Sequence, residues 1–585
     1  MNPFHCRQKN ASHLPGKMAY PTSTGPESKD YTWIALRTMR LPVFTLLAAW
    51  SLFPSCREPA AHENAMPGTG KDKSKPPVQR PITTLEESEQ RVAMAESTLE
   101  EIVAGMVAGM VLLAGDNIPE SVLSTSEKFT GSNPDSRHSA AHVFKIDNGE
   151  NNFTTFARIE LSAQLNNGGL FSVVGQMTAA WIVEKNGSVR LQALKEAAFL
   201  PPTESPVAWF DDQTKEVIGK EPAFRHHLSH GIDHWLNHIE AAHGIDAFIR
   251  NGMALGDVDG DNRDDVYICQ PGGLPNRLFI HQEDGTVKEA DAGVGVLDHT
   301  SAALFVDIDN DNDQDLVLAT PAGIALLENE GKLKFTFRGV LHTNSADCHA
   351  LAAADYNLDG NLDLYVTFAL GDRIADAAND SFLFHDARDG GENQLFSGSG
   401  DWSFTEVTGL TGLNKDNNRH SLAAIWHDFD LDGDPDLYVA NDYGPNQLYR
   451  NDPAQDGNRI FSEIAAKLGV QDQGAGMSAS WGDYNRDGRP DLYVGNMYSN
   501  AGARITSQPE FLAGGNAGLL PVYQRFAKGN TLLSQIKPNQ FVEYNGAAEM
   551  GRWAWSSVFA DLDNDGWQDL FVANGYITAP QPDDL

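Results

Sequence analysis

Cysteine is scarce in this chain: four in 585 residues, at Cys6, Cys56, Cys269 and Cys348. None stands in a CxxC or CxxCH arrangement, so zinc ribbons, thioredoxin-like redox centres and c-type haem attachment are excluded. Basic residues are also few, 43 Lys and Arg against 80 Asp and Glu, giving a net charge of −37. That balance argues against nucleic acid, and against an anionic membrane surface, as direct partners. No apolar run reaches the roughly 20 residues that span a bilayer. Residues 82–220 show no phosphate-binding glycine loop and no Ser/His/Asp set.

What the chain has instead is one acidic nonapeptide, written six times: DVDGDNRDD from Asp257, DIDNDNDQD from Asp307, DYNLDGNLD from Asp355, DFDLDGDPD from Asp428, DYNRDGRPD from Asp483 and DLDNDGWQD from Asp561. Positions one, three and five are Asp or Asn, and position nine is always Asp. Position six is Gly or Asn, the residue types that tolerate a left-handed backbone. Alternate side chains of a curled loop point inward, the arrangement a hard cation with oxygen ligands requires. Without a cation, two carboxylates about 5 Å apart repel by roughly 3 kcal/mol at an effective dielectric near 20. A divalent ion reverses that sign, and calcium suits a flexible loop better than magnesium.

An EF-hand is excluded, because it needs a bidentate Glu at position twelve. Position twelve here is Ile268, Leu318, Val366, Val439, Val494 and Val572. Tandem nonapeptide β-helix repeats are excluded because successive loops begin 48 to 78 residues apart. Each loop is followed by a β-type run such as LYV and several are preceded by one such as SAALFV, which makes the loop the tip of a β-hairpin. A third strand follows at PNRLF (275–279), ENQLF (392–396), PNQLY (445–449) and GNTLL (529–533), then a fourth, as in FTEVTGLTGL and FSEIAAKLGV. Units of four strands and about 50 residues have the period of a propeller blade. The expected fold is therefore mainly β, a six- or seven-bladed β-propeller over 251–585 with a small α+β domain before it. Insertions at 369–392 and 496–529 expand the connection at the strand end opposite the metal hairpin, and insertions sharing one face often mark a binding face. Cys269 and Cys348 fall in non-adjacent units and are expected to be buried thiols.

Upstream, 1–56 forms a signal region. Met39-Arg40, the run LPVFTLLAAWSLF and Cys56 resemble an export signal whose cysteine becomes a lipid-anchored first residue, with Met39 as start. Phe53 and Pro54 depart from that pattern, and simple secretion or an internal apolar helix are the alternatives. Residues 57–81 suit a flexible tether. Over 82–220 a helix of roughly 30 residues, opened by a Thr84/Glu87 capping box and carrying Gly105 and Gly109 at GxxxG spacing, precedes alternating strands with a hairpin turn at Lys185-Asn186-Gly187. Residues 221–250 form a His-rich helical connector with His226, His230, His234 and His238 at every fourth position. A solvated histidine face or a metal pair both fit that row.

The DxDxDGxxDL loops with NRLF/NQLF strands resemble the FG-GAP/VCBS repeats of integrin α-type propellers, and GDVDGDNRDDVYICQPGGLPNRLF is similar to the ASPIC/UnbV, cartilage acidic protein-like group. The resemblance covers roughly 250–585 and implies about six Ca²⁺ sites. Ligands by matched position are Asp257, Asp259, Asp261 and Asp265; Asp307, Asp309, Asp311 and Asp315; Asp355, Asn357, Asp359 and Asp363. The later copies give Asp428, Asp430, Asp432 and Asp436; Asp483, Asn485, Asp487 and Asp491; Asp561, Asp563, Asp565 and Asp569. Backbone carbonyls would come from Arg263, Asp313, Asn361, Asp434, Arg489 and Trp567. The expectation is an exported, non-enzymatic binding or adhesion module of the cell envelope with a protein or carbohydrate ligand. It would touch the membrane only through a lipid anchor at Cys56. The alternatives are an envelope enzyme built around the His row or Asp211-Asp212, and a purely structural surface protein.

Overall fold

A computed structural model describes residues 84–109, 119–206, 251–346, 348–369, 385–455, 457–511, 516–544 and 547–575, together with 210, 212–230, 234, 235 and 238. The signal region, the tether, Asp211 and most of the His-rich connector lie outside the described residues.

Helix α1 (Leu85–Val107) begins as expected, with Thr84 Oγ1 accepting from Glu87 N and the Glu87 carboxylate accepting from Thr84 N. It ends earlier than the apolar run in the sequence. Gly109 takes φ +71° just past the helix, so the second glycine of the GxxxG pair is a stop, not a packing position. Val92, Ala95, Leu99, Ile102, Val103 and Met106 recur at helical spacing and are buried on a five-stranded antiparallel sheet. Helix α2 (Glu120–Lys128) precedes the sheet, which comprises β1 (His138–Asn148), β2 (Asn152–Gln164), β3 (Leu170–Val183), β4 (Val189–Phe199) and β5 (Thr203–Ser205). The β3–β4 turn is at Gly187, φ +84°. No described helix is long and apolar enough to cross a membrane.

After a one-turn helix α3 (Thr214–Val217) come five four-stranded antiparallel meanders and one two-stranded sheet. The first is β6 (Met253–Gly256), β7 (Asp265–Ile268), β8 (Arg277–His281) and β9 (Val287–Ala290). The second is β10 (Ala302–Val306), β11 (Asp315–Thr320), β12 (Gly323–Asn329) and β13 (Phe335–Leu341). The third is β14 (Cys348–Ala354), β15 (Asp363–Phe368), β16 (Gln394–Gly398) and β17 (Phe404–Glu406). The fourth is β18 (Ser421–His427), β19 (Asp436–Asn441), β20 (Gln447–Pro453) and β21 (Arg459–Glu463). The fifth is β22 (Gly476–Gly482), β23 (Asp491–Asn496), β24 (Thr531–Lys537) and β25 (Gln540–Tyr544). The last has β26 (Ala554–Ala560) and β27 (Asp569–Asn574). The first strand of each sheet packs on that of the next, and apolar clusters fill every space between neighbours.

That stacking explains the continuous apolar runs. β11, β15, β19 and β23 are buried at every residue because a sheet covers each face. β7 alternates instead, with Val266 and Ile268 half-buried, and β27 has no buried residue, because these belong to the two end sheets. The motif asparagine of the third strand has a role too. Asn276, Asn393, Asn446 and Asn530 are buried, and their side chains accept from Gln270, Phe368, Asn441 and Asn496 N at 2.7–3.1 Å, sealing the end of the second strand. The fourth strands are shorter than their apolar text. In two units the text turns helical, in α4 (Thr408–Thr411) and α5 (Ala465–Leu468), each stopped by a left-handed glycine, Gly412 or Gly469.

The architecture is thus mainly β, of stacked antiparallel sheets, and a closed propeller is not seen among the described residues. Cys269 and Cys348 are both buried thiols. The 496–529 insertion contacts the N-terminal domain. From its helix α6 (Asn500–Thr506), Arg504 donates to both Glu89 oxygens (2.6–3.1 Å) and to Val143 O (2.6 Å).

Candidate metal centres

All six acidic loops are hairpin tips in one register. Position nine opens the second strand and pairs with the residue before position one: Gly256 with Asp265, Val306 with Asp315, Ala354 with Asp363, His427 with Asp436, Gly482 with Asp491 and Ala560 with Asp569. In every copy the position-one carboxylate accepts from the backbone N of positions five and six. The distances run from 2.8 to 3.1 Å, as at Asp257, Asp307, Asp355, Asp428, Asp483 and Asp561. The position-five carboxylate accepts from position-seven N at 2.8–3.3 Å.

Position six has positive φ in all six loops, as its Gly or Asn predicts. Position four does too, at Gly260, Asn310, Leu358, Leu431, Arg486 and Asn564, a feature the sequence reading missed. Leucine and arginine are poor left-handed residues, costing about 1–2 kcal/mol each. The backbone is held there by the position-one carboxylate, so residue type at position four carries no signal. Such strain is characteristic of sites where geometry is imposed by the surroundings.

Three-carboxylate clusters with ligand atoms within 4.8 Å form at Asp257/Asp259/Asp265, Asp307/Asp309/Asp311, Asp428/Asp430/Asp436 and Asp561/Asp563/Asp565. The loops with Asn357 and Asn485 at position three form none among the described residues. Arg263 and Arg489, at position seven, turn their guanidinium groups onto Asp261 and Asp487 of their own loops. The residues fit a cation. Asp309 Oδ1, Asp430 Oδ1, Asp434 Oδ1 and Asp491 Oδ2 are buried oxygens with no hydrogen-bond partner, a costly state for a carboxylate unless a cation meets it.

Position nine is different in kind. Asp265, Asp315, Asp363, Asp436 and Asp491 are buried, and each accepts from the third strand of its sheet, as His281 N to Asp265 and Asn451 N to Asp436, both at 2.8 Å. Burial pushes the carboxyl of Asp315 and Asp363 up to about 7, Asp436 to about 8 and Asp491 to about 6. In the ion-free protein these groups keep protons that the unfolded chain releases near pH 4. Stability is therefore greatest at the acid side of that window and falls as pH rises through 6–8. The chelated protein should melt roughly 5 °C or more lower at pH 8 than at pH 5.5, and the increment from added calcium should grow with pH. Calorimetry in matched buffers reads both, and a chelated melt that rises with pH across this window contradicts the assignment.

The other candidates do not converge. His230, His234 and His238 stack face to face, with centroids 4.0 and 4.1 Å apart, instead of aiming nitrogens at one point. Asp212 accepts from Thr214 N at 2.9 Å, just before α3. Neither belongs to a catalytic set among the described residues.

Comparison with known proteins agrees with this geometry. A family model described as FG-GAP-like repeat matches residues 257–318, 307–366 and 428–494. Cartilage acidic protein 1 of Mus musculus is 23% identical over 358 residues, covering 56% of this chain and 49% of its own length. The Homo sapiens protein is 24% identical over 358 residues, covering 56% and 48%. The chain therefore spans about half the length of the curated relatives it matches. A solved Agrocybe aegerita lectin, described as recognising non-reducing terminal N-acetylglucosamine, is 14% identical and covers 55% of this chain and 74% of its own. The TM-score of that match is 0.33. The chain thus carries FG-GAP-like repeats and, over about half of its length, is similar to cartilage acidic protein 1.

Proposed function

We propose that the chain is an exported, calcium-stabilised β-propeller that binds another macromolecule outside the cytoplasm. One observation supports the ring. Phe210 lies against Phe571 of the last sheet, with centroids 6.2 Å apart, and Val217 and Ile218 lie beside Val266 and Ile268 of the first. Eight residues of chain reach at most about 29 Å. Six sheets stacked in a straight line at about 10 Å spacing would hold their ends about 50 Å apart. A stack whose two ends meet one short segment has to curve back on itself, as a propeller does.

Calcium at positions one, three, five and nine, with the position-seven carbonyl, is supported by the orphaned carboxylate oxygens and by the shared loop geometry. The apolar run before Cys56 supports export, with acylation of that cysteine as anchor or simple secretion as the variant. The relatives, named for cartilage, favour an extracellular partner of protein or carbohydrate.

The immobilised chain, offered an extract of cell envelope or extracellular matrix, should retain a partner in calcium and release it in chelator. Nothing retained in either condition would leave a purely structural surface role and refute the binding module.

A further inference from the structure

We propose that Asn329, Asn451 and Gln535 are positioning residues that couple the calcium loops of neighbouring sheets. Each is at most 2% exposed and lies within the last three residues of a third strand. The backbone N of each donates to the position-nine aspartate of its own sheet: Asn329 to Asp315 (2.9 Å), Asn451 to Asp436 (2.8 Å) and Gln535 to Asp491 (2.8 Å). The side-chain amide reaches the other way, to the preceding sheet. Asn329 Nδ2 donates to Val258 O (2.9 Å), Asn451 Nδ2 to Tyr356 O (2.8 Å) and Gln535 Nε2 to Phe429 O (3.1 Å). All three acceptors are position two of an acidic loop.

The position-two peptide sits between two expected ligands, positions one and three. Its N–H donates to the position-nine carboxylate of its own loop, as Val258 to Asp265 (3.1 Å), Tyr356 to Asp363 (3.0 Å) and Phe429 to Asp436 (3.3 Å). Its carbonyl is fixed by the next sheet. One residue thus joins two cation loops: Asn329 the loops 257–265 and 307–315, Asn451 the loops 355–363 and 428–436, and Gln535 the loops 428–436 and 483–491. The corresponding residue of the third sheet, Gly398, binds Asp363 through its backbone N (2.9 Å) and has no side chain to reach back. Loop 307–315 meets that sheet through Trp402 Nε1 on Asp309 Oδ2 (3.0 Å) instead. Coupling is reciprocal, so an ion ordering one loop favours the sheet that carries the next.

This inference rests on the calcium reading, and loop-resolved hydrogen exchange during a calcium titration separates the two. In the wild type, protection of 355–363 should rise with calcium. In Asn451→Leu, of similar volume but without the donor, the midpoint for 355–363 should move about tenfold higher, since a buried carbonyl loses its partner. Loop 257–265 should titrate as in the wild type. Asn451→Gln, which restores a donor as Gln535 does natively, should recover most of the shift. Emptying 428–436 with Asp432→Ala should shift 355–363 in the wild-type background and not in Asn451→Leu. Should Asn451→Leu not fold, Asn329→Leu reads the same coupling at 257–265. Unchanged midpoints in these variants overturn the coupling alone. A wild type with no calcium-dependent protection in any loop overturns the calcium reading and the coupling together.

Discussion

Stripped of divalent ions, the protein should melt about 12 °C lower than in calcium held tenfold above its dissociation constant. Loops of this class in extracellular modules bind at about 10⁻⁴–10⁻³ M. A tenfold excess over such a constant stabilises by about 1.4 kcal/mol per site, so six sites contribute roughly 8 kcal/mol before any coupling between them is added. That is comparable to the whole stability of a typical domain. The repeat region is about 320 residues, and its unfolding entropy scales to roughly 0.7 kcal/mol per degree, which sets the shift. The sign follows from the clusters, whose ligand atoms lie within 4.8 Å of one another, so removal of the ion restores repulsion of about 3 kcal/mol per carboxylate pair. Magnesium should recover little of the loss, because it demands octahedral geometry and dehydrates reluctantly. Calorimetry in chelator, in calcium and in magnesium checks this, and three coincident melts would reject it.

Asp436→Ala should destabilise by about 3–5 kcal/mol, and should do so with or without calcium. The carboxylate is 1% exposed and accepts from Asn451 N and Phe429 N. Its removal orphans two buried N–H groups at about 1–3 kcal/mol each, beyond the lost ligand. Asp432→Ala, at position five of the same loop, gives the contrast. Its carboxylate lies at the exposed tip and accepts from Asp434 N, so its effect in calcium should be about 1.4 kcal/mol for its own site plus the smaller loss at the coupled loops, and close to nothing in chelator. Denaturant unfolding of the two variants in both buffers measures the difference. Equal costs in chelator would show that position nine is only a ligand and not also the tie between loop and sheet.

The loops were legible because the carboxylates of positions one, five and nine hold backbone N–H groups at fixed offsets, and a nonapeptide repeated six times leaves that pattern in the text. The second strands were legible for a related reason: burial on both faces writes an unbroken apolar run. The left-handed position four was not, because the carboxylate of position one dictates it, and residues as unlike as Leu358, Arg486 and Gly260 comply. The docking of Arg504 on Glu89 joins residues 415 apart and has no local signature. The amides at 451 and 535 did leave a trace, five residues after the motif asparagines 446 and 530. Their purpose depends on a neighbouring sheet, which only the tertiary structure supplies.

The most direct test is a count of calcium. After equilibrium dialysis against calcium at about ten times the dissociation constant, atomic emission should find about 5.5 ions per chain, falling to about 4.5 or below in Asp432→Ala. A wild-type protein carrying less than one ion per chain would contradict the account at its centre.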